Sequence, residues 1–585
     1  MKINKKLNVA DYFKLLRKYL KKQKGSIIVL CLMMMGTIML ELINPQIMGE
    51  FIDGAKEGKG AEGLTIFAIL FIVFAICKQL LAIASTYMAQ NVGWYATNNL
   101  RIDLMDHCFG LDMSFHKGQK TGELIERIDG DITALFNFFS KFIIKILGNI
   151  ILILGIIIVM FIKSPLIGFV TFILVLCAFK VFSMMQKIAV GKWKIIRKKN
   201  AELYGVVGEF IASTEDIKSN GAVNYVIYSY HKLINKLFPY TRDGEMMYMK
   251  MWASSTVIFT FVNVAILGLG GWLFVKGDLS IGALYVLFHY SNLIVRPIEN
   301  IRREFQDLQK AGASIKRLDE LLSVKSKLED GTEIFKNKDK ISITLKDVYF
   351  GYDEGENVLE GINFSLESGK ILGVLGRTGS GKTTLARLIV RLYDITSGEI
   401  KLNDQEVRDI KLQEMRNKIA YVTQDVQLFQ GTIRENITLF DESIHDEVIY
   451  SIIDEIGLRR WVNNLPKGLD TMLSSEGTGL SAGESQLIAF IRVFLKDPAL
   501  VILDEASSRL DPATEEMMET ALNNLLKNRT CIIIAHRLST IKRADEILIL
   551  EKGQIVEHGE RASLLKEEKS RFSKLCKHGI EEVLV

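Results

Sequence analysis

Long apolar runs dominate the first half of the chain, whereas short apolar strands alternate with charged helical segments after about Ile341. The stretch following Lys24, SIIVLCLMMMGTIMLELINPQIMGEFI, is followed by five more near 64–88, 140–162, 165–186, 252–276 and 281–300. Each holds roughly 20 apolar residues, enough to cross a bilayer as a helix. The first is about twice the length of a secretion-signal core and lacks a small-residue exit, so it reads as a retained span. Six spans return the chain to its starting side. The connections DGAKEGKGAEG, KSP and KGDLS are short, and basic runs such as KWKIIRKK gather on the two long connections and the N-terminus. The excess of Lys and Arg predicts that both termini lie in the cytoplasm.

Ahead of the first span, VADYFKLLRKYLKKQK places Tyr12, Phe13, Leu16, Tyr19 and Leu20 on one helical face and Lys14, Arg17, Lys18, Lys21 and Lys22 on the other. That is the pattern of a helix lying on an anionic leaflet. The polar, proline-free stretches from Ser85 to Leu111 and from Lys187 to Phe210 predict membrane helices that continue into the cytoplasm. Glycine-containing turn regions, LDMSFHKGQKTGELIERIDGD and ASTEDIKSNGAVNYV, follow at their far ends. The expected organisation is an interfacial helix over 1–25, a six-span helical transmembrane domain over 26–322, a charged linker over 323–340 and an α/β domain over 341–585.

Composition adds exclusions. The net charge of +5 is small for 585 residues, and the basic residues cluster beside apolar runs rather than in a stripe. Membrane lipid is therefore the expected contact, and nucleic acid is excluded as a partner. Cys31, Cys77, Cys108, Cys177, Cys531 and Cys576 show neither metal-ligand spacing nor a disulfide framework, and read as reduced and structural.

The chemistry sits in the second half. GKILGVLGRTGSGKTTLARLIV reads as a buried strand, a glycine loop and a helix. Within it Gly376, Arg377, Thr378, Gly379, Ser380, Gly381, Lys382 and Thr383 fit G-x-x-x-x-G-K-[ST], with Thr384 following. The glycines let backbone N–H groups close on the α- and β-phosphates, Lys382 reaches the β- and γ-phosphates, and the Thr383 hydroxyl ligates Mg2+. Downstream, ALVILDEASSRLD is an apolar strand ending in two carboxylates. Asp504 is positioned to hold Mg2+ through water and Glu505 to polarise the attacking water. The strand TCIIIAHRL ends at His536, which on its own reads equally as a structural or a functional residue. The stretch GTGLSAGESQLIAF, from Gly477 to Phe490, opens a helix with small residues, as an anion site does, yet holds no lysine.

Taken together and in order, GRTGSGKTT, YVTQD, LSAGE, VILDE, SRLD and IIIAHRL resemble the nucleotide-binding domain of an ATP-binding cassette (ABC) transporter. Six spans ahead of one cassette resemble an exporter half-transporter of the type IV fold, and the resemblance covers essentially the whole chain. The implied fold is an α-helical six-span transmembrane domain plus an α/β P-loop NTPase cassette. ATP and Mg2+ are the implied cofactors, and a second half-transporter, the same chain or a different one, is the implied partner.

The resemblance also assigns roles. Tyr352 matches the aromatic that stacks on adenine; Gln424 matches the loop glutamine that senses Mg2+ and the transmembrane domain. Glu505 matches the catalytic carboxylate and His536 the switch histidine at the γ-phosphate. Glu476 lies near the family's cross-talk loop, with a spacing shorter than usual. The turns near Gly118 and Gly221 correspond to coupling helices. LSAGE matches the signature motif, which faces the phosphate loop of the opposite subunit. Ser481 and the Gly483 N–H would contact the partner's γ-phosphate there, and Asp511 would cross the same interface. The family pattern is L-S-G-G-Q, so Ala482 and Glu484 are departures: Ala482 is tolerable at negative φ, and Glu484 puts a carboxylate at a helix start near an anion.

The expected activity is ATP-driven export of an amphipathic, lipid-like or peptide-like substrate across a bacterial cell membrane. The alternatives are an importer of a metal chelate on the same fold, or an ATP-gated channel or regulatory membrane protein. Glu41, Asn44, Lys78, Gln79, Lys145, Asn149, His289, Asn292 and Arg296 are polar positions within the spans, and serve substrate contact or helix packing equally well.

Overall fold

The computed structural model describes residues 18–336, 340–352, 355–474, 479–504, 512–527, 529–535 and 541–578. The chain forms two compact units, Met1–Cys108 with Thr121–Val324, and Phe109–Lys120 with Lys325–Val585.

The first unit is helical. Among the described residues five helical runs are long and apolar enough to cross a membrane: Lys18–Lys56, Ala61–Gly110, Thr121–Lys163, Pro165–Ala212 and Val223–Lys276. We label their main bodies α1 (Lys24–Lys56), α2 (Ala61–Gly110), α4 (Thr121–Lys163), α5 (Pro165–Ala212) and α7 (Val223–Lys276), with the short helices α3 (Met113–Gly118) and α6 (Thr214–Ser219) between them. The breaker-free polar stretches are continuous with the apolar ones, so α2 and α5 run to 50 and 48 residues; α7 runs to 54 with Pro239 inside it. Most of the predicted leaflet helix falls outside the described residues. At its end, Lys18 Nζ and the Tyr19 hydroxyl both donate to Asp103 of α2, at 3.0 and 2.8 Å.

The sixth predicted stretch carries a one-residue turn at Ile294, which keeps helical φ −66° and ψ −26°. It forms α8 (Ile281–Leu293) and the start of α9 (Val295–Leu322), with Ile294 between them. Pro297 explains the irregularity, because it has no N–H for the Leu293 carbonyl and its ring crowds that turn. Pro45, by contrast, lies buried inside an unbroken α1.

Several polar side chains in this unit partner one another. Lys78 lies 3.9 Å from Glu41, Asn263 donates to Asn292 at 2.9 Å, and Gln46 donates to the Tyr290 hydroxyl at 3.2 Å. Asp53 near the end of α1 accepts from the Ser280 hydroxyl at 2.6 Å and from the Gly282 N–H at 2.8 Å, so it holds the start of α8. The two backbones nearly touch there: a Cβ at Gly282 would lie 2.1 Å from the Gly49 carbonyl oxygen. Asp131 is 2% exposed and accepts from Arg317 Nε and the Ser314 hydroxyl, each at 2.8 Å, which ties α4 to α9.

The second unit is an α/β body that holds, among the described residues, two main sheets and a small antiparallel pair of Gly431–Thr432 with Met472–Leu473. β1 (Ile343–Phe350), β2 (Leu359–Leu366), β4 (Ser397–Leu402) and β5 (Gln405–Glu406) make an antiparallel sheet in the order β2-β1-β4-β5. The larger sheet holds β3 (Ile371–Leu375), β6 (Ile419–Val422), β7 (Leu500–Asp504), β8 (Thr530–Ile534), β9 (Glu546–Glu551) and β10 (Gln554–Glu560) in the order β10-β9-β3-β8-β7-β6. All its pairings are parallel except β9 with β10. Along β8, Cys531 and Ile533 enter one apolar core while Ile532 and Ile534 enter another. Burial on both faces is why such strands read as uninterrupted apolar runs.

Candidate functional site

The carboxyl ends of the parallel strands carry the predicted chemistry, as open α/β sheets generally do. β3 runs into Gly376, and α10 (Lys382–Ile389) starts at the lysine of the loop. Gly376 has φ +153° and Gly381 φ +105°. A Cβ at the first would lie 2.3 Å from the Leu550 carbonyl oxygen, and at the second 2.5 Å from Leu359 Cδ2. Both glycines are therefore demanded by backbone conformation and by close packing. Lys382 is 6% exposed and its ammonium donates to the carbonyls of Gly376 and Arg377 at 2.6 and 3.1 Å. Ser380 Oγ is buried without a hydrogen-bond partner. A buried cation beside an unpaired buried hydroxyl, on a glycine loop opening a helix, fits a phosphate chain.

Asp504 ends β7 and is 5% exposed. The neighbouring strand β6 supplies Tyr421, whose hydroxyl lies 3.1 Å from Asp504 Oδ2. Burial, then the Asp504 charge, pushes the Tyr421 phenol well above its ordinary value, so it stays a donor. Gln424 is exposed just beyond β6. Among the described residues no group of three His, Cys, Asp or Glu side chains is placed to hold a metal. The Mg2+ expected from the sequence, at Thr383, Gln424 and a water on Asp504 with phosphate oxygens, would need no such group.

Tyr352 follows β1. Its hydroxyl lies 3.1 Å from Thr384 Oγ1 and accepts from Arg387 at 3.3 Å, both on α10. Phe350 and Tyr393 pack against the ring edge-to-face, with centroids at 5.0 and 5.1 Å. Asp112 belongs to the same unit. It accepts from the N–H groups of Ser114 and Phe115 at 2.9 and 3.2 Å, capping α3, and from the Lys327 N–H at 2.6 Å.

The signature stretch opens α15 (Ala482–Lys496; the helices between are α11, Leu412–Lys418; α12, Ile433–Thr438; α13, Asp446–Glu455; and α14, Arg459–Asn464). Ser481 is its N-cap. The Ser481 Oγ accepts from the Glu484 N–H at 3.2 Å, and Glu484 Oε2 accepts from the Ser481 N–H at 2.8 Å, a reciprocal capping box. Glu484 Oε1 accepts from Trp461 Nε1 of α14 at 3.1 Å. The carboxylate expected at a helix start lies there and is turned back onto the Ser481 N–H. Ala482 is the first helical residue and has no positive φ, which meets the condition its methyl imposes. The box leaves the N–H groups of Ala482 and Gly483 without intrahelical acceptors.

Sequence reasoning missed three connections. Arg492 of α15 donates to the Asn436 carbonyl at 2.7 Å and the Gln427 carbonyl at 3.3 Å. The Asn436 side chain, fully buried, accepts from the Phe429 N–H at 2.8 Å and donates to the Phe429 carbonyl at 2.9 Å. These bonds fasten the segment after Gln424 to the signature helix. Trp461 is the second; Tyr421 is the third. The S-x-x-E spacing of Ser481 and Glu484 was a signal for the capping box; nothing local announces Arg492, whose partners lie more than fifty residues away. Glu476, Glu505, Asp511 and His536 lie outside the described residues.

Comparison with known proteins agrees with this arrangement. Residues 27–298 match the ABC transporter transmembrane region and residues 359–508 match the ABC transporter family. The chain is 30% identical over 574 residues to the uncharacterized ABC transporter ATP-binding protein YfiC of Bacillus subtilis, covering 96% of this chain and 93% of that protein. It is 30% identical over 582 residues to the ATP-dependent lipid A-core flippase of Idiomarina loihiensis, covering 97% and 98%. A multidrug resistance ABC transporter ATP-binding and permease protein of Lactococcus lactis is 29% identical, with 96% and 94% covered. A solved bacterial Atm1-family ABC exporter with ATP bound shares the fold, with TM-score 0.78 at 21% identity over 96% of this chain and 98% of that one.

The chain belongs to the ABC transporter family. It is a half-transporter of exporter type with fused membrane and ATP-binding parts, an ATPase coupled to transport.

Proposed function

We propose that two copies of this chain form an exporter that moves an amphipathic, lipid-like or peptide-like molecule across a bacterial cell membrane, with termini and cassettes in the cytoplasm. The observation that carries the paired site is the signature loop. Leu480–Glu484 contains no lysine or arginine, yet it opens a helix at which the Ala482 and Gly483 N–H groups have no intrahelical acceptor, and the Ser481 hydroxyl, accepting in the capping box, keeps its own O–H to donate. Such a start favours an anion, and a phosphate loop in a second copy supplies one. Polar groups paired within apolar helices, such as Glu41 and Lys78, support an amphipathic cargo. The relatives named as a lipid A-core flippase and a multidrug transporter point the same way.

In this reading the Gly376–Thr384 loop and Lys382 hold the phosphates, and Tyr352 stacks on the base. Thr383, Gln424 and Asp504 would hold Mg2+, which would supply charge neutralisation to the phosphates. Glu505 polarises the attacking water and His536 contacts the γ-phosphate. Ser481, Ala482, Gly483, Glu484 and Asp511 belong to the site completed on the other copy. Two bound ATP molecules close the cassettes, hydrolysis loosens them, and α3 and α6 carry the change to the membrane helices.

ATPase activity of the purified chain, with Glu505→Gln as control, tests this. The wild type is expected to turn over alone, and Glu505→Gln to trap an ATP-bound closed dimer. A silent wild type restored by a different half-transporter overturns the pairing of like copies; unchanged turnover in Glu505→Gln overturns the role of that carboxylate. Flux of labelled lipid or peptide in sealed vesicles tests cargo and direction.

A further inference from the structure

The face of Tyr352 is already in use. Lys117, on α3, places its ammonium 3.8 Å from the centroid of the Tyr352 ring. Both belong to the second compact unit, into which the Phe109–Lys120 segment folds. The ring is fixed at its other end by Thr384 and Arg387 and at its edges by Phe350 and Tyr393. Lys117 is exposed, so burial does not force it there; attraction of a cation to the ring quadrupole accounts for the position.

A stacked aromatic ring brings its centroid to roughly 4.5 Å or more from its partner and covers the face. An ammonium at 3.8 Å from the centroid lies inside that space. The ammonium and a stacked base therefore exclude each other from this face. A cavity of about 230 Å³ adjoins the contact, lined among others by Asp112, Ser114, Phe350, Tyr352 and Tyr393, and gives the displaced groups room.

We infer that Lys117 is a nucleobase-responsive latch: its ammonium holds α3 to Tyr352 until a stacking base takes the face, so base binding itself releases one fastening of α3. This rests on the reading of Tyr352 as the base-stacking residue. The latch ties the base, rather than the phosphates, to the segment that leads from α2 into α4. It also gives Lys117 an effect opposite to that of an ordinary cation near ATP. Simple Coulomb attraction makes a nearby lysine strengthen binding of a polyanion; a lysine that must be displaced weakens binding of the base-bearing form.

The test is equilibrium binding to the full chain in lipid nanodiscs without Mg2+, so that turnover does not intervene. Probes are ATP and inorganic tripolyphosphate, which shares the charge and lacks the base. For Lys117→Ala the ratio of ATP to tripolyphosphate affinity is expected to rise about two- to five-fold, the weight of one exposed cation–π contact. Lys117→Arg, which keeps the contact, is expected to keep the wild-type ratio. An unchanged or lowered ratio in Lys117→Ala overturns the latch. Tyr352→Ala separates the two readings. If it lowers the ratio while Lys117→Ala leaves it unchanged, stacking stands and the latch falls; if it leaves the ratio unchanged, the stacking role falls and the latch with it.

Discussion

The Tyr421 hydroxyl donates to Asp504 Oδ2 across 3.1 Å, joining β6 to the carboxylate at the end of β7. The acceptor is buried, so removing the donor leaves a charged oxygen less satisfied, at a cost of about 1–3 kcal/mol. Tyr421→Phe is expected to lower the thermal midpoint of the full chain and to raise the Mg2+ concentration needed for half-maximal ATPase. A variant that melts and responds to Mg2+ like the wild type shows the bond to be idle. The pH dependence has a definite sign. The folded phenol is held above its ordinary value, so its contribution is complete below about pH 10 and is lost only as pH rises toward the folded value. The wild-type advantage should be flat from neutral to mildly alkaline pH.

Asp112 titrates in the opposite sense. Burial pushes its carboxyl up, but the Lys327 N–H and the bonds from Ser114 and Phe115 outweigh burial and hold it below its ordinary value. A depressed carboxyl contributes stability above about pH 4 and loses it as pH falls through the folded value. Hydrogen exchange at pH 6 should find the Ser114, Phe115 and Lys327 amides protected in the wild type and open in Asp112→Ala, with a cost of about 1 kcal/mol for the lost cap. Asp112→Asn should fall between, because Oδ1 serves α3 while Oδ2 serves Lys327 and a carboxamide keeps one oxygen.

Glu484→Gln restores the family's residue and keeps one acceptor oxygen for two donors, the Ser481 and Trp461 N–H groups. It is expected to fold and turn over with a small loss. Glu484→Ala removes both acceptors and should destabilise the start of α15 by about 1–2 kcal/mol. Exchange of the Ser481–Ser485 amides reads this directly; equal protection in the alanine variant and the wild type overturns the capping role.

Gly282→Ala tests the contact between α1 and α8. The added methyl would meet the Gly49 carbonyl oxygen at 2.1 Å and Asp53 Oδ2 at 2.5 Å, so backbone must move. Overpacking of this kind costs about 1–3 kcal/mol or more. Expected outcomes are a lower melting temperature in detergent and loss of the Asp53 bond to the Gly282 N–H. A melt like that of the wild type shows that α8 shifts freely.

Much of this protein is legible from periodicity and a few spacings. The phosphate loop is readable because backbone that needs left-handed φ beside a close neighbour selects glycine, as at Gly381, and because a buried strand and an amphipathic helix flank it. The apolar runs announced five long helices for the same elementary reason of length. At the sixth run Pro297 removes one helical hydrogen bond, and the irregularity is confined to Ile294, which keeps helical φ and ψ. Glu484 was read from its charge and neighbours in sequence, whereas its partners are decided by the helix it caps and by Trp461, which arrives through folding. Arg492 and Lys117 act across long chain separations, and no local spacing encodes such meetings.

The 54 residues of α7 set a mechanical scale. At 1.5 Å per residue the helix is about 80 Å long, and a hydrocarbon core of about 30 Å leaves roughly 50 Å of rod beyond it. A stiff rod amplifies: tilting it by about ten degrees at the membrane sweeps its far end through about 9 Å, by the same rise per residue. Run backwards, the same leverage reduces a displacement of several ångströms at α6 to a small, forceful rotation among the membrane helices. In the proposed cycle helix length would thus act as a gear ratio, and inserting or deleting whole turns would alter the stroke per ATP without touching any residue that binds nucleotide.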